Sequence, residues 1–222
     1  MDLPIPNRTE AGRELATALA TGSDGPPPLV LALPRGGVPV AAPIAERLDA
    51  PLDLMVVRKL GFPGHEEFAM GAIASGGVRI MNDAMLQRQP VSQQAVDRVA
   101  QSELAELERR ERTYRGDRPA PDLAGRSVIL VDDGLATGAT MRAAIRACRE
   151  QGAASVFVAV PVGPVDTVAR LKEEADDLVC LATPEPFAAI GEWYRTFDQT
   201  SDEEVRELLE KAWQREAEHR SR

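Results

Sequence analysis

With 222 residues and a 44% apolar share, the chain can bury a sizeable core, and no run of about 18 apolar residues predicts a transmembrane helix. The net charge of −9 argues against bulk attraction to nucleic acid or to an anionic membrane. Two cysteines and two histidines, scattered along the chain, form no cluster that suits zinc.

The opening residues, MDLPIPNRTE, lack the charged and apolar regions of a signal peptide. Cys148 and Cys180 sit inside a helical and a strand pattern and read as buried free thiols, which fits a cytoplasmic protein. Residues 7–20 carry an amphipathic helical pattern, and TGSDGPPP at 21–28 breaks it. LVLALP at 29–34 is a continuous apolar run bounded by proline and glycine, a buried strand by its length. A helix is predicted over 36–50 and a second buried strand over 51–60. Residues 61–77, with scattered glycines and no clear period, read as a loop, and 78–83 as a short strand. A long polar helix follows at 91–115, with Val96, Val99, Ala100, Leu104 and Leu107 on one side. Three more strands (126–133, 155–163 and 177–187) alternate with helices over 139–153 and 164–176. The last helix, 201–220, opens with Ser201 and Glu204 as a capping box and buries Val205, Leu208, Leu209, Ala212 and Trp213.

Fully apolar strands joined by helices predict an α/β fold. Its centre is a mainly parallel, five-stranded twisted sheet flanked by helices. Ligands bind such sheets at the carboxyl ends of the strands. Three suggestive loops lie there, after Leu33, Val57 and Val131. The helix at 91–115 interrupts the alternation and reads as an appended piece, with the insertion as a whole at about 88–118.

The segment VILVDDGLATGAT holds the most informative pattern. Asp132 and Asp133 stand at a strand tip, directly before a small turn, Gly134 to Thr140, that opens a helix. Free N–H groups and the positive dipole end of a helix N-terminus bind phosphate. Thr137 and Thr140 add hydroxyls, and Gly134 and Gly138 allow close backbone approach. No lysine follows Gly138, so this is not a Walker A loop. Two acids ahead of a phosphate turn suit sugar hydroxyls or a hydrated Mg²⁺.

This pattern strongly resembles the phosphoribosyl pyrophosphate (PRPP) motif of type I phosphoribosyltransferases, and the resemblance spans about residues 28–187. It implies one domain over 1–222. It also implies that Asp132 and Asp133 hold the ribose 2- and 3-hydroxyls. The 5-phosphate would be held by Ala136, Thr137, Gly138, Ala139 and Thr140, with Gly134 standing where the family has a bulky aliphatic. LALPRGGVPVA is similar in shape to the family's pyrophosphate loop, which often contains a cis peptide; there Arg35 would grip pyrophosphate, with Gly36 and Gly37 presenting amides. VVRKLGFPGHEEFAMG sits where the family has its flexible catalytic loop, which puts Arg58 and Lys59 over the pyrophosphate. His65, Glu66 and Glu67 read better as solvated loop residues than as base or metal contacts.

The acceptor is narrowed by exclusion. Relatives that act on 6-oxopurines carry an aspartate where this chain has Ala136, and a lysine in the following strand, where SVFVAVPVG has none. Phe187, after the last core strand, is the candidate for stacking an acceptor ring; Trp193 and Phe197 read as packing the last helix onto the sheet. The resemblance implies a Mg²⁺-dependent transferase with small-molecule substrates, assembled as a homodimer. The competing expectation is a regulator that senses PRPP or a nucleotide on the same fold.

Overall fold

The structure, a computed structural model, describes residues 3–19 and 27–220, without the side chains of Glu66, Glu67 and Arg220. Most of the breaker read at 21–28 therefore lies outside the described residues. Five parallel strands form the main sheet: β1 (Leu29–Ala32), β2 (Leu52–Leu54), β6 (Ser127–Val131), β7 (Ser155–Val162) and β8 (Asp177–Ala182), in the order β2-β1-β6-β7-β8. The remaining strands, β3 (Val57–Phe62), β4 (His65–Ala74) and β5 (Val78–Met81), make a separate antiparallel sheet. Helices α1 (Arg8–Leu19), α2 (Gly37–Arg47) and α7 (Asp202–Arg220) cover one face of the main sheet. The helices α5 (Ala139–Glu150) and α6 (Val165–Glu174) cover the other.

Strand alternation explains the two cores. Val30, Ala32, Ile129 and Val131 face Leu15, Ile44, Val205 and Leu209, while Leu29, Leu31, Val128 and Leu130 face Met141, Ile145, Cys148 and Leu171. The edge strand β2 is covered: Trp213 of α7 donates its indole N–H to the Leu52 carbonyl at 2.9 Å.

Two sequence expectations are corrected. The strand predicted over 51–60 is two strands in two sheets. The chain leaves the main sheet at Met55, whose N–H still reaches the Ala32 carbonyl, and re-pairs from Val57 with β4. Met55 and Val56 are buried throughout this switch, so no polar residue marks it. The loop predicted over 61–77 is mostly strand β4. Three of its glycines serve the two reversals rather than disorder: Gly64 has φ 77°, and Gly76 and Gly77 have φ 83° and 74°. The short helix α3 (Asp83–Arg88), capped by the Asn82 carboxamide, was not foreseen.

The long helix α4 (Gln93–Arg115) lies across the antiparallel sheet, packing Val96, Ala100 and Leu107 with Leu60, Phe62 and Ile73. A buried ionic group ties its end to the main sheet. Arg115 places Nε 2.6 Å from Asp53 Oδ1 and Nη1 2.9 Å from Glu111 Oε1, and donates to the Leu54 carbonyl. Ser75 Oγ donates to the same Glu111 at 2.6 Å.

Candidate functional site

Strands β1 and β6 are neighbours at the point where the sheet order reverses: from β1 the chain steps outward to β2, from β6 to β7. Such a switch point opens a crevice beyond the strand ends. The turn after β1 and the tip after β6 meet there, with the Leu33 N–H bonded to the Val131 carbonyl at 2.9 Å. A Cβ on Gly36 would lie 2.0 Å from Asp133 Oδ2, and one on Gly37 would lie 2.6 Å from the Val131 carbonyl oxygen. Only glycine lets these two loops close to this distance. The Pro34–Arg35 peptide is cis.

Asp132 and Asp133 are half-buried side by side at this junction. Asp132 Oδ1 accepts the Asp133 backbone N–H at 2.8 Å. Burial raises the pKa of Asp132 well above the usual carboxylate range, and the neighbouring Asp133 charge adds to it. Burial raises Asp133 too, with Arg8 opposing. Arg8, the first residue of α1, was missed by sequence reading: its Nε and Nη2 both lie 2.8 Å from Asp133 Oδ2. Tyr194 was also missed; its hydroxyl donates to the Asp133 carbonyl at 2.7 Å. Neither carries a local motif, and each meets Asp133 only through the fold.

The turn behind the acids is shaped by side chains from outside it. A Cβ on Gly134 would lie 2.6 Å from Ile190 Cγ2, so a neighbour from the 3-10 turn Ile190–Trp193 fills the room a bulky aliphatic would need. Thr167 of α6, itself buried, donates to the Ala136 carbonyl at 3.1 Å. Gly138 is left-handed at φ 75° and forms the N-cap of α5. Ala136, Thr137, Ala139 and Thr140 are all exposed at this helix start.

The remaining candidates divide. Adjacent residues of a strand face opposite sides. Arg58 turns to α4, where its Nε and Nη2 both sit 2.8 Å from Glu103 Oε2. Lys59 and Thr140 line two cavities, of about 350 and 510 Å³, and Arg58 with Glu103 reaches the larger of them. Arg35 lies at a smaller polar cavity with Arg109, Arg110, Thr113, Tyr114 and Asp202, its Nη1 3.7 Å from Asp202 Oδ1. Tyr114 donates to that same carboxylate at 2.8 Å; burial and this acceptor push its phenol up to about 12.

Phe187 is half-buried and stacks on Trp193 with ring centroids 6.0 Å apart. The aromatic group does not pack the last helix, as read from sequence. It packs the N-terminal segment: Phe187, Trp193, Tyr194 and Phe197 gather around Ile5 and Ala11, and Ile5 pairs with Tyr194 as a β-bridge. The apolar residues of this segment had no period that would reveal such a partner.

Among the described residues no three or more His, Cys, Asp or Glu side chains are grouped to hold a metal ion. The adjacent acids fit a hydrated magnesium ion, which takes one or two carboxylates and otherwise phosphate oxygens and water. Among the described residues no helix is long and apolar enough to cross a membrane.

Comparison with known proteins places this crevice in context. The chain is 50% identical over 206 residues to a protein of Mycobacterium tuberculosis, found in strains CDC 1551 and H37Rv under a provisional phosphoribosyl transferase name. The match covers 93% of this chain and 46% of that protein, so the chain spans about half the length of these curated relatives. The crystal structure of TT1426 from Thermus thermophilus superimposes with a TM-score of 0.82 at 42% identity, covering 92% of this chain and 97% of that one. The family model described as phosphoribosyl transferase domain matches residues 3–193. On this family match and these identities, with the fold in agreement, the chain belongs to the phosphoribosyl transferase domain family, of the type I fold.

Proposed function

We propose that this chain transfers the phosphoribosyl group of PRPP to a nitrogen of a base or amine, releasing pyrophosphate. The observation that carries this reading is the closure of the Pro34–Gly37 turn onto Asp132 and Asp133, with no room for a Cβ on Gly36. That contact supports one ligand lying across both loops, with pyrophosphate at Arg35 and Gly36 and sugar at the acids; the Gly37 N–H, expected to face pyrophosphate, is instead bonded to the Leu33 carbonyl at 3.0 Å. The 5-phosphate then falls on the helix start formed by Gly134 and Ala136 through Thr140.

The bond that breaks joins C1 of the ribose to pyrophosphate, and its transition state resembles an oxocarbenium ion. The protein's part is positioning and charge stabilisation. Asp132 and Asp133 orient the sugar beside the developing positive charge. The helix start at Thr137 to Thr140, with its two exposed threonines, anchors the far end, and that binding energy holds C1 in line with the acceptor. Arg35, next to the glycine turn, and Lys59, on the cavities that Thr140 also lines, offset charge on the leaving group. Asp132 or Asp133 would hold a magnesium ion, which would supply further neutralisation of the leaving group.

Ala136 and the lysine-free β7 support an acceptor other than a 6-oxopurine, with Phe187 available for stacking. The family's usual assembly supports a homodimer. One observation favours the second reading, a non-catalytic sensor of PRPP or nucleotide: the segment expected to be a flexible catalytic loop is a hairpin held to α4 through Arg58 and Glu103.

Calorimetry with magnesium-PRPP tests the shared first step. Binding is expected, and its loss in the Asp132→Asn/Asp133→Asn double variant. A screen of bases and amines for pyrophosphate release then separates the two readings. Release with any acceptor supports the transferase; tight PRPP binding with no release across the screen supports the sensor.

A further inference from the structure

Asp133 is held from more sides than a simple sugar ligand requires. Its carboxylate Oδ2 receives two bonds from Arg8, at 2.8 Å from Nε and 2.8 Å from Nη2. Its backbone carbonyl receives the Tyr194 hydroxyl. Gly36 closes over the same Oδ2. Arg8 is itself fixed from behind. Its Nη1 donates to the Asp198 carbonyl at 2.7 Å, and its guanidinium lies 3.9 Å from the Phe197 ring centroid. The arginine side chain is only 12% exposed and the aspartate side chain 13%.

A carboxylate at a strand tip turns easily about its last torsion, which is broad and roughly twofold. Two charge-assisted bonds onto one oxygen end that freedom. They also leave Oδ1 outside the guanidinium's grip. A planar fork clasped between a ring and a carbonyl gives the acid one orientation before any ligand arrives, and preorganisation of this kind lowers the cost of binding.

Resting on the donor reading above, we infer that Arg8 is a positioning residue for sugar recognition: it holds the Asp133 carboxylate so that Oδ1 is presented to a ribose hydroxyl. Arg8 touches the acid rather than the substrate. Its effect is therefore selective for ligands that carry the hydroxyl pair, and weaker for ligands that bind through phosphate alone. A lysine at this position keeps the charge and loses the fork.

The test compares wild type, Arg8→Gln and Arg8→Lys in calorimetric titrations with magnesium-PRPP. Competition titrations with ribose 5-phosphate and with 2-deoxyribose 5-phosphate follow, and thermal melting establishes that each variant is folded. Arg8→Gln is expected to weaken PRPP binding about 10- to 100-fold, the scale of a hydrogen bond to a charged group. The preference for ribose 5-phosphate over its deoxy analogue is expected to collapse toward one, and Arg8→Lys to restore part of both. If the Gln variant melts below the assay temperature, the Lys variant carries the comparison, with a smaller preference than wild type expected. A folded variant with wild-type affinity and preference overturns the inference. So does weakened affinity with an unchanged preference, because Arg8 then serves the fold alone. Wild-type protein that does not bind magnesium-PRPP overturns the donor reading and this inference together.

Discussion

A hypothetical Cβ on Gly36 falls 2.0 Å from an oxygen that two guanidinium bonds hold in place. The neighbour cannot swing aside cheaply, so Gly36→Ala is expected to cost about 1–3 kcal/mol, the range for overpacking a tight site. A lowered melting temperature together with lost PRPP binding would bear this out; an alanine variant with wild-type behaviour in both would not. Asp132 gives a prediction of opposite sign. Its folded-state pKa lies above its unfolded value because of burial and then its neighbour's charge. The native state therefore holds more protons than the unfolded chain across the window between the two values. Stability is undiminished below about pH 4, the unfolded carboxylate value, and falls as pH rises toward the raised folded value. Asp132→Asn removes this loss. In melts of ligand-free protein from pH 4 to 8, the variant is expected to gain on wild type as pH rises, while losing PRPP binding. A difference that is flat or shrinks with pH would contradict the assignment. Burial of the two acids thus comes at some expense to the stability of the fold, which accords with the binding role proposed for them.

The acidic pair, the turn behind it and the glycine turn were legible as local geometry: a strand end, a helix start and the residues between. Gly134 showed the limit of that view. It read as a departure from the family's bulky aliphatic, whereas Ile190, more than fifty positions away, occupies the vacated space. Arg8 and Tyr194 were illegible for the same reason. At the level of elements, alternation of buried strands and helices predicted the main sheet well. It failed between 51 and 77, where the apolar stretch Leu54–Val57 conceals a change of sheet and Gly64, Gly76 and Gly77 mark hairpin reversals. The antiparallel sheet and α4 form one unit fastened by the Arg115–Asp53–Glu111 group. Removing one partner from a buried ion pair strands the other, at about 3–5 kcal/mol. Arg115→Met is expected to fall in that range by chemical denaturation, and the Arg115→Met/Asp53→Leu double variant to recover a substantial part. Additive losses would indicate that the pair is not coupled.

Taken as a whole molecule, the crevice is built from distant ends of the chain. Ile5 pairs with Tyr194, its N–H bonds to the Trp193 carbonyl, and the Arg195 N–H returns to the Ile5 carbonyl. The Arg8 bond to the Asp198 carbonyl spans 190 positions. The parallel sheet, by contrast, is assembled from successive strand–helix units, and its edge is sealed by Trp213. More than half of each curated relative lies beyond the length this chain matches, so any joint activity with that remainder is a separate question from the crevice described here.

The pairing of Ile5 with Tyr194 has a consequence for the order of folding. Contacts that close a long loop carry a larger entropic cost than those between neighbours along the chain, and they tend to form slowly. The clasp on Asp133 is therefore expected to be among the last features to assemble, after the sheet and its helices. In refolding from denaturant, recovery of backbone circular dichroism should precede recovery of PRPP binding. Removal of residues 1–8 should leave the first signal and abolish the second. Simultaneous recovery of both would show instead that the clasp is part of the folding nucleus. If the lag is found, a nascent or partly unfolded chain holds its sheet while remaining unable to capture its ligand.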